Sequence, residues 1–183
     1  MISKTENQYN EVIVKCRDIF IKKTKDYGTA WRILRLSSIT DQIYIKAKRI
    51  RSIQDNGVTK VDEGIEPEFI GIINYCIIAL IQMTMDDDAE LELDPAALNE
   101  YYEREVQETL GLLRNKNHDY GEAWRDMRVS SITDIILMKI HRTKQIEDNK
   151  GQTLISEGVG ANYRDMINYA VFCMIKLQED EAS

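Results

Sequence analysis

Apolar residues recur at helical spacing along most of the chain. Ile132, Ile135, Ile136 and Ile140 fall three and four residues apart and so line one face of a helix. The pattern predicts a helix from about Ser130 to Asn149, with Ser130 or Ser131 as its N-cap. Ahead of it, Pro95 suits a first helical position and Gly121 a stop, so a helix is expected from Pro95 to about Asn117. A third is expected from about Gly160 to Gln178, matched earlier in the chain by one from Pro67 to Met85. The most apolar stretch, Phe69 to Met85, is broken by Asn74, Gln82 and Thr84 and falls short of the roughly 20 residues that span a bilayer. It reads as a buried helix.

The same pattern is written twice. Asp26 to Asp41 aligns with Asp119 to Asp134 at an offset of 119 − 26 = 93, and twelve of those sixteen positions are identical. The register continues through Lys46 with Lys139, Arg49 with Arg142, Glu63 with Glu157 and Asn74 with Asn168, after one inserted residue. The expected organisation is a first helical repeat over 1–85, a linker over 86–94 and a second repeat over 95–183. Two three-helix units, each exposing an apolar face, should pack about a pseudo-twofold axis. The expected fold is all-α, a six-helix fused pseudo-dimer. The linker holds Asp86, Asp87, Asp88, Glu90, Glu92 and Asp94 without one base, which predicts a solvated, extended segment.

Charge narrows the function. The 24 Lys and Arg against 31 Asp and Glu give 24 − 31 = −7, which disfavours binding to DNA or RNA polymers. Cys16, Cys76 and Cys173 are odd in number and isolated, without a Cys-x-x-Cys spacing, and read as reduced core thiols of a cytoplasmic protein. The polar start, Met1 to Asn10, lacks an apolar signal segment, and no membrane partner is expected. A Gly-Lys-Ser/Thr phosphate loop, a Gly-x-Ser-x-Gly elbow and a Cys and His pair are all missing. His118 and His141 lack partners at metal-ligand spacing and are expected at the surface.

Three groups of residues can carry chemistry. In the doubled Asp-Tyr-Gly-x-Ala-Trp signature, Gly28 and Gly121 suit helix ends with positive φ, Trp31 and Trp124 suit core anchors, and Tyr27 and Tyr120 offer aromatic faces for a base. On the helix that follows, Arg142 lies about 80° from Asp134, away from the isoleucines, and Lys139 about 140° away. Asp41, Lys46 and Arg49 repeat that spacing in the first half. On the last helix, Asp165 and Asn168 are one turn apart, with Asn162 a turn earlier and Glu157 in the same sector if the helix reaches back. Hard oxygen ligands of this kind suit magnesium or manganese, which would in turn hold phosphates. The halves differ here: Glu68-x-x-Gly71 stands opposite Asn162-x-x-Asp165, so each has one acid of two. The more apolar third helix of the first half suits an interior, scaffolding role.

These residues, the doubled signature, the Ser-Ser-Ile-Thr-Asp with its downstream Lys and Arg, and the Glu followed by Asn-Tyr, resemble the nucleotide modification associated domain 1 family in tandem form. More distantly, the helical pattern is similar to the all-α nucleoside triphosphate pyrophosphohydrolases of the MazG-like and dimeric dUTPase group. That resemblance implies magnesium held by paired acids, with Glu68 to Gly71 and Asn162 to Asp165 at one motif and Asp41 and Asp134 at the other. The expectation is a nucleotide-binding protein, a magnesium-dependent nucleotide (pyro)phosphohydrolase in its fullest form. Asp134, Glu157 and Asp165 are the expected metal ligands. Tyr120, Lys139, Arg142 and Asn168 are expected on the substrate, together with Tyr27, Asp41, Lys46, Arg49, Glu63, Glu68 and Asn74. The alternative is a non-catalytic helical interaction or nucleotide-sensing module, as monomer or homodimer.

Overall fold

The computed structural model describes residues 1–57 and 64–183. Glu63, expected on the substrate, lies outside the described residues. The described residues form six long helices and two short 3-10 turns: α1 (Lys4–Tyr27), α2 (Leu36–Asn56), α3 (Glu66–Thr84), α4 (Pro95–Tyr120), α5 (Val129–Asp148) and α6 (Val159–Ala182), with turns at Ala30–Ile33 and Ala123–Asp126. No strand occurs among the described residues. The all-α, tandem three-helix arrangement expected from the repeat is what forms.

Local chemistry sets the helix ends. The Ser3 hydroxyl accepts the Glu6 amide at 3.1 Å, and Ser3 and Glu6 stand at capping-box spacing. Asp94 caps α4 through the Ala97 amide at 3.1 Å, with Pro95 in the first turn. Gly28 and Gly121 end α1 and α4 at φ of 64° and 66°, a region L side chains adopt only with strain. The serines are not N-caps. Backbone bonds from Ile39 to Arg35 and from Ile132 to Arg128, both 3.1 Å, start α2 and α5 earlier and leave Ser130 and Ser131 inside the first turn.

Four helices form the centre. α2 packs on α3 and α5 on α6 within each half, while α3 meets α6 and α2 meets α5 across the pseudo-axis. Ile39, Ile43 and Ile50 of α2 and Ile132, Ile136 and Ile140 of α5 are buried, as the periodicity requires. α3 is long and apolar enough to cross a membrane, yet its residues are the core, from Glu68 almost continuously to Ile81. α1 and α4 lie outside, each touching both α3 and α6.

Two reciprocal polar clasps join the halves. The Tyr102 hydroxyl donates to Asn74 Oδ1 at 2.8 Å, and Asn74 Nδ2 donates to the Cys16 carbonyl at 3.0 Å. At the related place Tyr9 donates to Asn168 Oδ1 at 3.1 Å, and Asn168 reaches the Thr109 carbonyl at 3.5 Å. Each asparagine is thus held by a tyrosine of the other half. Burial demands this, because an unpaired amide in such a core is costly.

The acidic segment between the halves keeps its charged side chains in solvent, as expected, but is docked by hydrogen bonds rather than freely extended. Thr29 donates its amide to Glu92 Oε2 at 2.9 Å and its hydroxyl to the Leu91 carbonyl at 2.7 Å. Arg32 reaches the Glu90 carbonyl at 3.3 Å. A Cβ on Gly28 would stand 2.2 Å from Glu92 Oε2, so the glycine also makes room for the carboxylate. The acidic side chains themselves stay exposed, while Leu93 packs against the core and Glu92 accepts from the Thr29 N–H and O–H, so the segment is tied down without burying its charge.

Candidate functional site

The first half contains a cavity of about 660 Å³ bounded by the end of α1, the first 3-10 turn, α2 and α3. On α1, Phe20, Lys23, Thr24 and Tyr27 recur at three- and four-residue spacing and so share the face that borders it. Gly28 turns the chain and sets Trp31 on the next wall; Lys46 enters from α2. α3 contributes Gly71, Asn74, Tyr75 and Ile78. The cavity therefore sits at the repeated signature of the first half, and α3, the helix expected to serve as interior scaffold, supplies one of its walls.

Gly71 decides where Lys46 lies. The lysine stem crosses the glycine so closely that a Cβ there would fall 2.3 Å from Lys46 Cδ. Its ammonium then stands 3.5 Å from Glu68 Oε2 and 5.9 Å from the centre of the Tyr75 ring. Arg49 binds the other oxygen of Glu68. Burial, and then the neighbouring Tyr27, raise the Tyr75 hydroxyl above the usual tyrosine value. Among the described residues Lys23 has no carboxylate partner and no carboxylate lines the cavity.

The same place in the second half is filled. Lys116 corresponds to Lys23, Lys139 to Lys46 and Asp165 to Gly71. The two lysines grip the buried Asp165 from either side, Lys116 Nζ at 2.5 Å from Oδ1 and Lys139 Nζ at 2.9 Å from Oδ2. Burial pulls the Lys116 ammonium down, but its hydrogen bond to Asp165 and the charges of Asp165, Tyr169 and Glu157 together outweigh this and hold it above the usual lysine range. Trp124 lies flat on Phe172, ring centres 4.2 Å apart and planes 4° from parallel, where the first half has Ile78. Tyr169 meets the edge of Phe172 at 6.1 Å.

The three carboxylates expected as metal ligands do not meet. Asp165 is held by its lysines; Asp134 is exposed and faces Arg51 across the pseudo-axis at 3.6 Å, just as Asp41 faces Lys144 at 2.9 Å. These are paired surface contacts between α2 and α5. Glu157 is exposed before α6 begins. Among the described residues no group of three His, Cys, Asp or Glu is placed to hold a metal.

Of the expected substrate residues, Tyr27, Lys46 and Asn74 border the cavity, while Glu68 and Arg49 stand behind Lys46. Asn74 and Asn168 spend polar atoms on the clasps. Lys139 is engaged with Asp165; Tyr120 and Arg142 are exposed. Sequence reasoning passed over Lys23 and Lys116, although they too repeat at 116 − 23 = 93, and it treated Trp31 only as an anchor.

Fold and cavity define a duplicated, all-helical protein with an aromatic and cationic pocket in one of two related halves. The profile of the family described as nucleotide modification associated domain 1 matches residues 23–83 and again 116–177, and the chain belongs to that family. The matches open on Lys23, in the cavity wall, and on its counterpart Lys116. No curated protein and no solved structure matches the chain.

Proposed function

We propose that the protein binds a nucleotide, or a closely related ring-bearing phosphate, in the cavity of its first half. One observation carries the reading: a space of about 660 Å³ brings the aromatic faces of Tyr27, Trp31 and Tyr75 beside the ammonium groups of Lys23 and Lys46. That volume lies in the range of small-molecule sites, roughly 300–1,000 Å³. Aromatic walls suit a base and lysines suit a phosphate. The family's description, nucleotide modification associated, agrees in kind. All the lining comes from residues 19–78, so a single chain is a sufficient binding unit.

The reading is of binding rather than hydrolysis. No carboxylate lines the cavity among the described residues to serve as base or metal ligand. Isothermal titration with nucleoside mono-, di- and triphosphates, each with and without magnesium or manganese, tests it. Saturable binding without a divalent ion is expected. The Lys46→Met variant, in which Glu68 keeps Arg49, should weaken it by roughly 10–100-fold, the size of one charge-assisted contact. Absence of binding to every nucleotide, or binding unchanged in Lys46→Met, would remove the proposal. Phosphate and pyrophosphate release should stay at background.

A further inference from the structure

The second half shows what the first half's cavity lacks. Lys116 and Lys139 bridge a carboxylate at Asp165, and Trp124 stacks on an aromatic ring at Phe172. Their counterparts Lys23, Lys46 and Trp31 border open space, with Gly71 where Asp165 would project and Ile78 where Phe172 would. From the anion position to the ring position is seven residues, two helical turns, about 10 Å along the axis. An anion and a planar ring that one half supplies from its own helix are both missing from the other.

We infer that the second half is a self-liganded copy of the binding site, in which Asp165 stands in for the ligand's anionic group and Phe172 for its planar ring. The ligand of the first half then lays its ring on Trp31 and places one phosphate between Lys23 and Lys46 without a metal ion. One ligand binds per chain. This deepens the nucleotide reading and rests on it.

The Glu68 position supports the same division. The second half has Asn162 there, leaving Lys139 to Asp165 alone, whereas Glu68 stands 3.5 Å from Lys46 and binds Arg49 more closely through its other oxygen. The first half thus lays its lysine stem across Gly71, with the ammonium 3.5 Å from Glu68 and no aspartate to hold it, whereas the second half commits its lysine to Asp165.

The triple variant E68N/G71D/I78F gives the first half the second half's residues at all three places, and it is the deciding experiment. Lys46 must swing aside for an aspartate at 71 and can then pair with it as Lys139 pairs with Asp165. Titrated with nucleoside phosphates, the wild type should bind one equivalent and the triple variant should bind at least 30-fold more weakly, with its thermal transition intact. The reciprocal pair D165G/F172I should raise the stoichiometry from one to two. Wild-type binding of two equivalents, or a folded triple variant binding within twofold of wild type, would overturn the self-liganded copy while leaving nucleotide binding standing. A wild type that binds no nucleotide overturns the reading of the pocket itself.

Discussion

Replacing Asp165 by asparagine removes one negative charge from between two ammonium groups. The Asp165 side chain is 6% exposed and that of Lys139 16%, so Lys139 would be left as a nearly buried cation without a counter-charge. Breaking such a pair costs about 3–5 kcal/mol. Lys116 is 44% exposed, and water can replace much of what it loses. The expected loss for D165N is therefore about 2–4 kcal/mol, or roughly 4–16 °C in Tm at about 2–4 °C per kcal/mol for a chain of this length. The matched control is D134N, whose side chain is 60% exposed and 3.6 Å from Arg51. It should shift stability by under about 0.5 kcal/mol. Thermal denaturation followed by circular dichroism compares the two, and D165L/K139M, which removes charge on both sides, should recover most of the loss. If D165N melts within a degree or two of D134N, the two-lysine grip is not what holds this part of the second half.

The remaining expectations concern the clasps, the docked segment and alkaline pH. Tyr102→Phe leaves Asn74 Oδ1 buried without its donor and should cost about 1–2 kcal/mol, more than Tyr9→Phe, because the Tyr9 clasp is longer at 3.1 Å against 2.8 Å; equal losses in urea melts would contradict that ordering. Gly28→Ala and Gly121→Ala share the cost of a positive φ, about 1–2 kcal/mol, but only Gly28→Ala also displaces Glu92, since nothing approaches Gly121 within 4 Å; Gly28→Ala should be the more damaging, and the reverse would speak against the docked segment. Burial, and then the Glu66 charge, push the Cys16 thiol up to about 12. Its folded value lies above the unfolded value of about 8.5, so the stability it contributes is complete below that pH and is lost as pH rises toward the folded value. Lys116 and the buried tyrosines Tyr9 and Tyr163, also raised, act in the same direction at higher pH. Tm should decline steadily above about pH 8.5; a flat profile to pH 11 would exclude this.

The duplication made the fold readable. Isoleucines at helical spacing gave α2 and α5 their buried faces, and the two signatures located the glycines that end α1 and α4. The polar positions were harder, because repetition marks what both halves need and says little about where a side chain finds its partner. Asp134 repeats Asp41 since each faces a base across the pseudo-axis, and Asn168 repeats Asn74 since each meets a tyrosine from the opposite half. Both partners are more than twenty residues away and invisible to helical periodicity. The cavity was legible only where repetition failed: Gly71 against Asp165 and Ile78 against Phe172 are the differences that leave one place open and fill the other.

The tyrosine and asparagine clasps also make the duplication hard to undo. A polypeptide cut between Met85 and Asp94 would yield two fragments, each with its asparagine stripped of a hydroxyl that only the other fragment owns, and the strap holding Thr29 would be severed as well. Reconstitution would need the unlike fragments to find one another, whereas two copies of the same fragment would bring Tyr102 to Asn168 and Tyr9 to Asn74, combinations this protein never uses. Ancestry as twin modules has become mutual dependence, and truncation to a single repeat removes the scaffold together with the surplus copy.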